Sequence, residues 1–111
     1  MITDENIGDI LAAAFEGGIN YWCDEVKVVD DNYMDARFAS DAVSRGAIVK
    51  LHLSDYEDPV PELLTRKTIV KGIEMAAIAH GLSVDEFIEN HDAEDADMAV
   101  QFAVFGKLVF G

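Results

Sequence analysis

Residues 47–55 read Ala-Ile-Val-Lys-Leu-His-Leu-Ser-Asp. Ile48, Lys50 and His52 fall on one face and Val49, Leu51 and Leu53 on the other, the period of two that an extended strand imposes on its side chains. Eleven residues later the period changes. In "RKTIVKGIEMAAIAHG", Ile69, Val70, Ile73, Ala76, Ala77 and Ala79 recur at spacings of three and four, Thr65 stands where an N-cap belongs, and Gly81 stands where a left-handed C-cap belongs. A strand period followed by a helix period on one short chain predicts an α+β fold.

Working outward, "YWCDEVKVVDD" at 21–31 alternates loosely, is rich in aromatic and β-branched residues, and predicts a second strand. Upstream, Thr3 with Asp4 and Glu5 marks a helix start, and Ile7, Ile10, Leu11, Ala14 and Phe15 form an apolar stripe that Gly17 and Gly18 should end through a left-handed C-cap. A short helix or turn is expected from Tyr33 to Arg45, closing on Gly46. Downstream of the clear strand, "SDYEDPVPE" at 54–62 holds both prolines and four acids and reads as an exposed loop with no ladder through it. Ser83 and Glu86 form a capping box for a helix reaching Glu89 or Asn90. A further helix should begin near Asp95, turn Met98, Ala99, Phe102, Ala103 and Phe105 inward, and stop at Gly106, leaving "KLVFG" as a tail or a short third strand. The expectation is one α+β domain over 1–111, a small, mostly antiparallel sheet of two or three strands packed with four or five helices.

With 22 acids against 8 bases the net charge is −14 over 111 residues. Such a body repels nucleic-acid phosphates and anionic membranes and attracts a basic partner. No apolar run approaches the ~20 residues of a membrane span, and "MITDENIGDI" has no basic, apolar leader, so the expectation is a soluble, intracellular protein. Cys23 is the sole cysteine, which excludes an internal disulfide and a thiolate metal site.

No catalytic motif stands out. There is no Gly-x-Ser-x-Gly elbow, P-loop or Gly-x-Gly-x-x-Gly, and Asp24 and Glu25 beside Cys23 disfavour its thiolate. His52, His80 and His91 are isolated, without the spacing of a transition-metal site. Aligning Asp92 with the first position of a calcium loop puts Asp97 where glycine is needed and Ala103 where the bidentate glutamate is needed, so the loop fails. No metal or cofactor is expected. Carboxylate pairs for acid–base chemistry are recognised by distance in space, which spacing along the chain does not give.

Two regions remain as candidate sites. Asp85, Glu86, Glu89, Asp92, Glu94, Asp95 and Asp97 occur without one Lys or Arg among them, and Asp55, Glu57 and Asp58 form a second acidic group. Some of these acids complement helix N-termini, and the rest form a partner-facing surface. "EGGINYW" at 16–22 is either a tight helix-to-strand corner or a ligand rim. On successive strand positions Tyr21 and Trp22 should point to opposite faces, and a ring beside the amides of Gly17 and Gly18 would suit a nucleobase or another small ligand.

"FEGGINYW" and "DADMAVQFAVFGKLVFG" together resemble a widespread family of small hypothetical proteins encoded by bacteriophages and prophages. In that family an Ala/Leu-rich helix runs into Glu-Gly-Gly-x-x-Tyr-Trp and the chain closes on Gln-x-Ala-x-Phe-Gly-x-x-Val-Tyr/Phe-Gly. The matching positions are Glu16, Gly17, Gly18, Tyr21 and Trp22, then Asp97, Gln101, Ala103, Phe105, Gly106, Val109 and Gly111, with "TIVKGIEMAA" fitting loosely and the two motifs covering about a quarter of the chain. Phe110 stands where the family has tyrosine and Lys107 where it has an acid, so no terminal hydroxyl carries over.

The resemblance implies a phage accessory protein working in the host cytoplasm, with no catalytic residues to transfer. The leading expectation is a non-enzymatic inhibitor whose acids occupy a basic groove of a host nucleic-acid-handling or defence complex, such as a CRISPR effector, partly mimicking phosphates. The alternatives are a sponge for a nucleotide immune signal at Gly17, Gly18, Tyr21 and Trp22, aided by Lys27, Lys50, Arg66 or Lys67, and a virion assembly role as a homo-oligomer joined through "LVF". A hydrolase with a carboxylate pair ranks last.

Overall fold

The computed structural model describes residues 1–29, 39–54 and 62–111. The elements are α1 (Asp4–Ala13), which runs into one π-helical turn (Ala14–Gly18), β1 (Cys23–Val28), α2 (Ala39–Ser44), β2 (Val49–Leu53), β3 (Glu62–Leu64), α3 (Arg66–His80), α4 (Val84–Asn90) and α5 (Ala93–Phe105). Strand order is β1-β2-β3, antiparallel throughout, so the α+β architecture is the observed one, with a small antiparallel sheet and five α-helices among the described residues. Of the helix or turn predicted from Tyr33 to Arg45, α2 is the part within the described residues; 30–38 lie outside them, as do Asp55, Glu57 and Asp58.

Helix boundaries follow local chemistry. Thr3, Thr65, Ser83 and Asp92 each accept the backbone N–H three residues on, and the residue at that position returns a side-chain bond to the cap amide, which satisfies two otherwise orphaned donors at each start. Gly81 (φ 70°) and Gly106 (φ 75°) end α3 and α5 in the left-handed conformation. Asp92 therefore starts α5 two residues earlier than the apolar periodicity indicates.

The first glycine pair behaves differently from the expectation. Neither Gly17 nor Gly18 has a positive φ; both lie in the π-helical turn, and Ile19 N–H donates to the Ala14 carbonyl at 3.0 Å. Space is what Gly18 supplies, since a Cβ there would lie 2.5 Å from the Ala93 carbonyl oxygen at the start of α5. Gly72 has the same function where α3 crosses α5, where a Cβ would meet the Ala99 carbonyl oxygen at 2.2 Å.

In the sheet, Val26 pairs with Leu51 and Val28 with Val49 on the buried face, while Lys27 stands opposite Lys50 on the other face. Asp24 is the extra residue of a bulge between Cys23 and Glu25, and its carboxylate meets His52 Nδ1 at 2.8 Å. The third strand is Glu62–Leu64, paired as Val49↔Leu64 and Leu51↔Glu62; "KLVFG" joins no ladder, and the loop assignment to 54–62 is corrected at its last residue. Ile7, Ile10, Leu11, Trp22, Val49, Leu51, Leu64, Ile69, Ile73, Phe87 and Val100 are buried in one core between the sheet and the helices. No helix among the described residues is long and apolar enough to cross a membrane.

Candidate functional site

The chain leaves the π turn through a second tight turn in which the amides of Trp22 and Cys23 both donate to the Ile19 carbonyl, at 3.0 and 2.8 Å. Tyr21 and Trp22 lie in that turn, ahead of β1, so strand alternation does not separate their rings. Both reach the same carboxylate. Trp22 Nε1 donates to Asp97 Oδ1 at 2.7 Å and the Tyr21 hydroxyl donates to Asp97 Oδ2 at 2.5 Å. The expected split of one ring in the core and the other outside is observed, Trp22 being buried and Tyr21 54% exposed, but it comes from the turn and the shared carboxylate and not from strand alternation.

Gln101 completes the arrangement one helical turn after Asp97. Its Nε2 donates to Asp97 Oδ1 at 2.9 Å, and its Oε1 accepts the amides of Val109 and Phe110, each at 2.8 Å. The tail past Gly106 is thereby folded back onto α5, and the Phe110 ring stacks on Trp22 with centroids 5.2 Å apart and planes 5° apart, with Phe105 at the edge of both. The N-terminal and C-terminal motifs are thus the two halves of one clasp. Trp22 is 1% exposed and Asp97 7% exposed. A buried indole N–H without an acceptor is costly, and the only other way to satisfy it would be water in the core.

This geometry constrains the chemistry. Asp97 already accepts three hydrogen bonds, and partial burial, the bond to Asp97 and its charge push the Tyr21 phenol up to about 12, with Glu94 adding to the rise. The phenol therefore keeps its proton near neutral pH and is a poor general base there. Burial also pushes the Cys23 thiol up, with the charges of Asp24 and Glu25 acting in the same direction. Among the described residues no three His, Cys, Asp or Glu side chains stand together as metal ligands.

Beside the clasp runs an open groove of about 670 Å³ between the π turn, Tyr21, the first two turns of α5 and the tail. Gly17, Gly18 and Tyr21 line it, as the ligand-rim expectation has them, but Trp22 does not, because Phe110 covers it. The two glycines form no anion-holding nest either, since that needs a left-handed residue and neither is one. Glu94 and Asp97 line the same groove, whereas Lys27, Lys50, Arg66 and Lys67 do not. Arg66 instead holds Asp4 through Nε at 3.0 Å and Nη2 at 2.7 Å. Among the described residues no lysine or arginine lines the groove, so a nucleotide phosphate finds no cation there.

The predicted acidic surface divides into acids with structural work and acids without. Asp97 is buried in the clasp and is removed from the partner-facing set, because its oxygens are directed at Trp22, Tyr21 and Gln101. Glu86 closes the capping box of α4, and Asp92 and Asp95 close that of α5, with Asp95 also 3.0 Å from His80 Nε2. Asp85, Glu89 and Glu94 are exposed and make no side-chain hydrogen bond among the described residues; Glu86 and Asp92 are exposed as well. Among the described residues no lysine or arginine pairs with any acid from Asp85 to Asp97. In the tail, Leu108 and Val109 are half exposed, so of "LVF" only Phe110 is occupied internally.

Residue chemistry alone assigned no part to Gln101, and Phe110 entered only within the "LVF" segment. The available signal was the spacing of Asp97 and Gln101, four apart and therefore on one face of an otherwise apolar helix. Comparisons with protein-family models, with curated proteins and with solved structures found no match to this chain, so its function is argued from the geometry above.

Proposed function

We propose that the protein is a non-enzymatic phage or prophage accessory factor that binds a basic surface of a host nucleic-acid-handling or defence complex, as a partial nucleic-acid mimic of the anti-CRISPR kind. The observation that carries this reading is the elbow between α4 and α5. Five exposed carboxylates, Asp85, Glu86, Glu89, Asp92 and Glu94, follow one another there with no Lys or Arg pairing among the described residues. Asp85 and Glu89 lie four residues apart on one face of α4, roughly 6 Å along the axis, so the two charges stand together on one side of the helix. The capping boxes fix the backbone on which these acids stand, which limits the ordering entropy lost on binding. A body of charge −14 adds long-range attraction toward a Lys/Arg-lined channel.

The test is affinity purification from host cells at low and high salt, with identification of what is retained. Asp85→Asn, Glu86→Gln and Glu89→Gln are combined as the variant, because glutamine preserves the capping box and none of the three touches the clasp. The expected result is capture of a basic nucleic-acid-binding protein or complex that salt elutes and the triple variant does not retain. Capture of only acidic or neutral proteins, or equal capture by the variant, would remove the proposal.

A further inference from the structure

The groove beside Tyr21 has a polarity that the clasp dictates. The Tyr21 proton is committed to Asp97, so the phenol turns only oxygen lone pairs toward other groups. Gln101 Nε2 has two N–H groups. One is used at 2.9 Å on Asp97, and the other is shared between Tyr21 Oη and the Phe110 carbonyl at 3.3 Å each, which leaves the phenol oxygen lightly used. The amides of Gly17 and Gly18 belong to the π turn, and the Gln101 carbonyl oxygen is taken by the tail. The polar side chains of the groove therefore present acceptors to a ligand, with Glu94 exposed at the start of α5 beside them. Met98, Leu108 and Phe110 supply an apolar wall.

We propose that this groove seats a guanidinium group, namely one arginine side chain of the basic partner. Five N–H donors on a planar cation match a wall of Glu94 and Tyr21 oxygens, and the aliphatic stem of arginine covers Met98 and Leu108. An anionic ligand would face the carboxylates of Glu94 and Asp97 with no lysine or arginine among the lining residues, and a neutral one would leave the Glu94 charge unmatched. The assignment rests on the basic-partner reading and adds to it a single anchoring point, separate from the Asp85–Glu89 face of α4.

Titration of the isotope-labelled protein with acetyl-Gly-Arg-Gly amide, followed by amide chemical shifts, tests it against the citrulline tripeptide, which has the same shape and no charge. The expected result is saturable shifts confined to Tyr21, Glu94, Leu108 and their neighbours with the arginine peptide, none with citrulline, and about fivefold weaker binding in Glu94→Gln. Equal response to citrulline, shifts spread over every acidic segment, or unchanged affinity in Glu94→Gln would overturn it. Nona-arginine binding that falls with salt and with the α4 triple variant, alongside a single-arginine peptide that leaves the groove unmoved, would sink the groove assignment alone and leave the elbow reading standing.

Discussion

Replacing Asp97 by alanine should unlock the clasp, and the structure sets the size of the effect. Three donors lose one acceptor: Trp22 Nε1 at 2.7 Å, Tyr21 hydroxyl at 2.5 Å and Gln101 Nε2 at 2.9 Å. They are not equivalent. Tyr21 is half exposed and can turn to water, and Gln101 keeps the tail amides, but the indole is 1% exposed and has no other acceptor. A buried donor left unpaired costs about 1–3 kcal/mol and a hydrogen bond to a charged group contributes about 1.5–3 kcal/mol. Relief of the desolvated carboxylate offsets part of the loss. The net expectation is a loss of about 3–5 kcal/mol, a large share of the 5–15 kcal/mol that holds an ordinary domain.

Asp97→Asn should cost only about 1–2 kcal/mol. Its Oδ1 can still take the indole proton, and its amide can donate to a Tyr21 hydroxyl that reverses its role. Urea unfolding followed by the fluorescence of Trp22, the sole tryptophan, and by far-ultraviolet circular dichroism measures both variants. A loss below about 1 kcal/mol in Asp97→Ala would refute the reasoning that this carboxylate holds the two motifs together.

The glycines give a second, internal comparison: Gly18→Ala and Gly72→Ala should each cost about 2–4 kcal/mol, because the new Cβ meets backbone of α5, whereas Gly17→Ala, with open space and no positive φ, should be neutral or gain about 0.5 kcal/mol. Thermal melts rank the three. Tyr21 should titrate near 12 by ultraviolet absorbance, identified by its loss in Tyr21→Phe. Its folded value lies above the unfolded value of 10, so the folded state holds the proton more tightly; that contribution is complete below pH 10 and disappears between 10 and 12, which makes the wild type lose stability across this window more steeply than Tyr21→Phe. Cys23, buried and with its thiol pushed up, should react slowly with a thiol reagent at pH 8 and rapidly once urea unfolds the chain.

What was legible in the sequence is what local chemistry decides. The alternation at 48–53 and the three-and-four spacing at 69–79 gave β2 and α3, and Thr3, Thr65, Ser83, Gly81 and Gly106 marked ends of α1, α3, α4 and α5 as caps. The misses are places where a distant segment decides. Glu62–Leu64 is too short to show a period, and it becomes a strand because β2 has an open edge beside it. Tyr21 and Trp22 look like strand residues, but the turn on Ile19 brings both to Asp97, 75 residues further on. Gly18 looks like a cap, yet its reason is the approach of Ala93. Asp97 looks like one more solvated acid in a run; only the needs of a buried indole and the Gln101 one turn later separate it from Glu94. The groove follows from the same misreading, since its acceptor character is set by where the Tyr21 proton points.

The claim on which the functional account rests is that position matters as well as total charge, so the most direct measurement compares two variants of equal charge. Asp85→Asn, Glu86→Gln and Glu89→Gln at the elbow, and Glu5→Gln, Asp9→Asn and Glu74→Gln elsewhere, both take the net charge from −14 to −11 by neutralising three acids. Binding of nona-arginine is measured for each by calorimetry from about 0.05 to 0.5 M salt, a range over which screening shortens from beyond 10 Å to a few ångströms. The account predicts that wild type and the distant variant bind alike with affinity falling steeply as salt rises, while the elbow variant is several-fold weaker at low salt and has a shallower salt dependence. Equal weakening of both variants, or an affinity indifferent to salt, would contradict it.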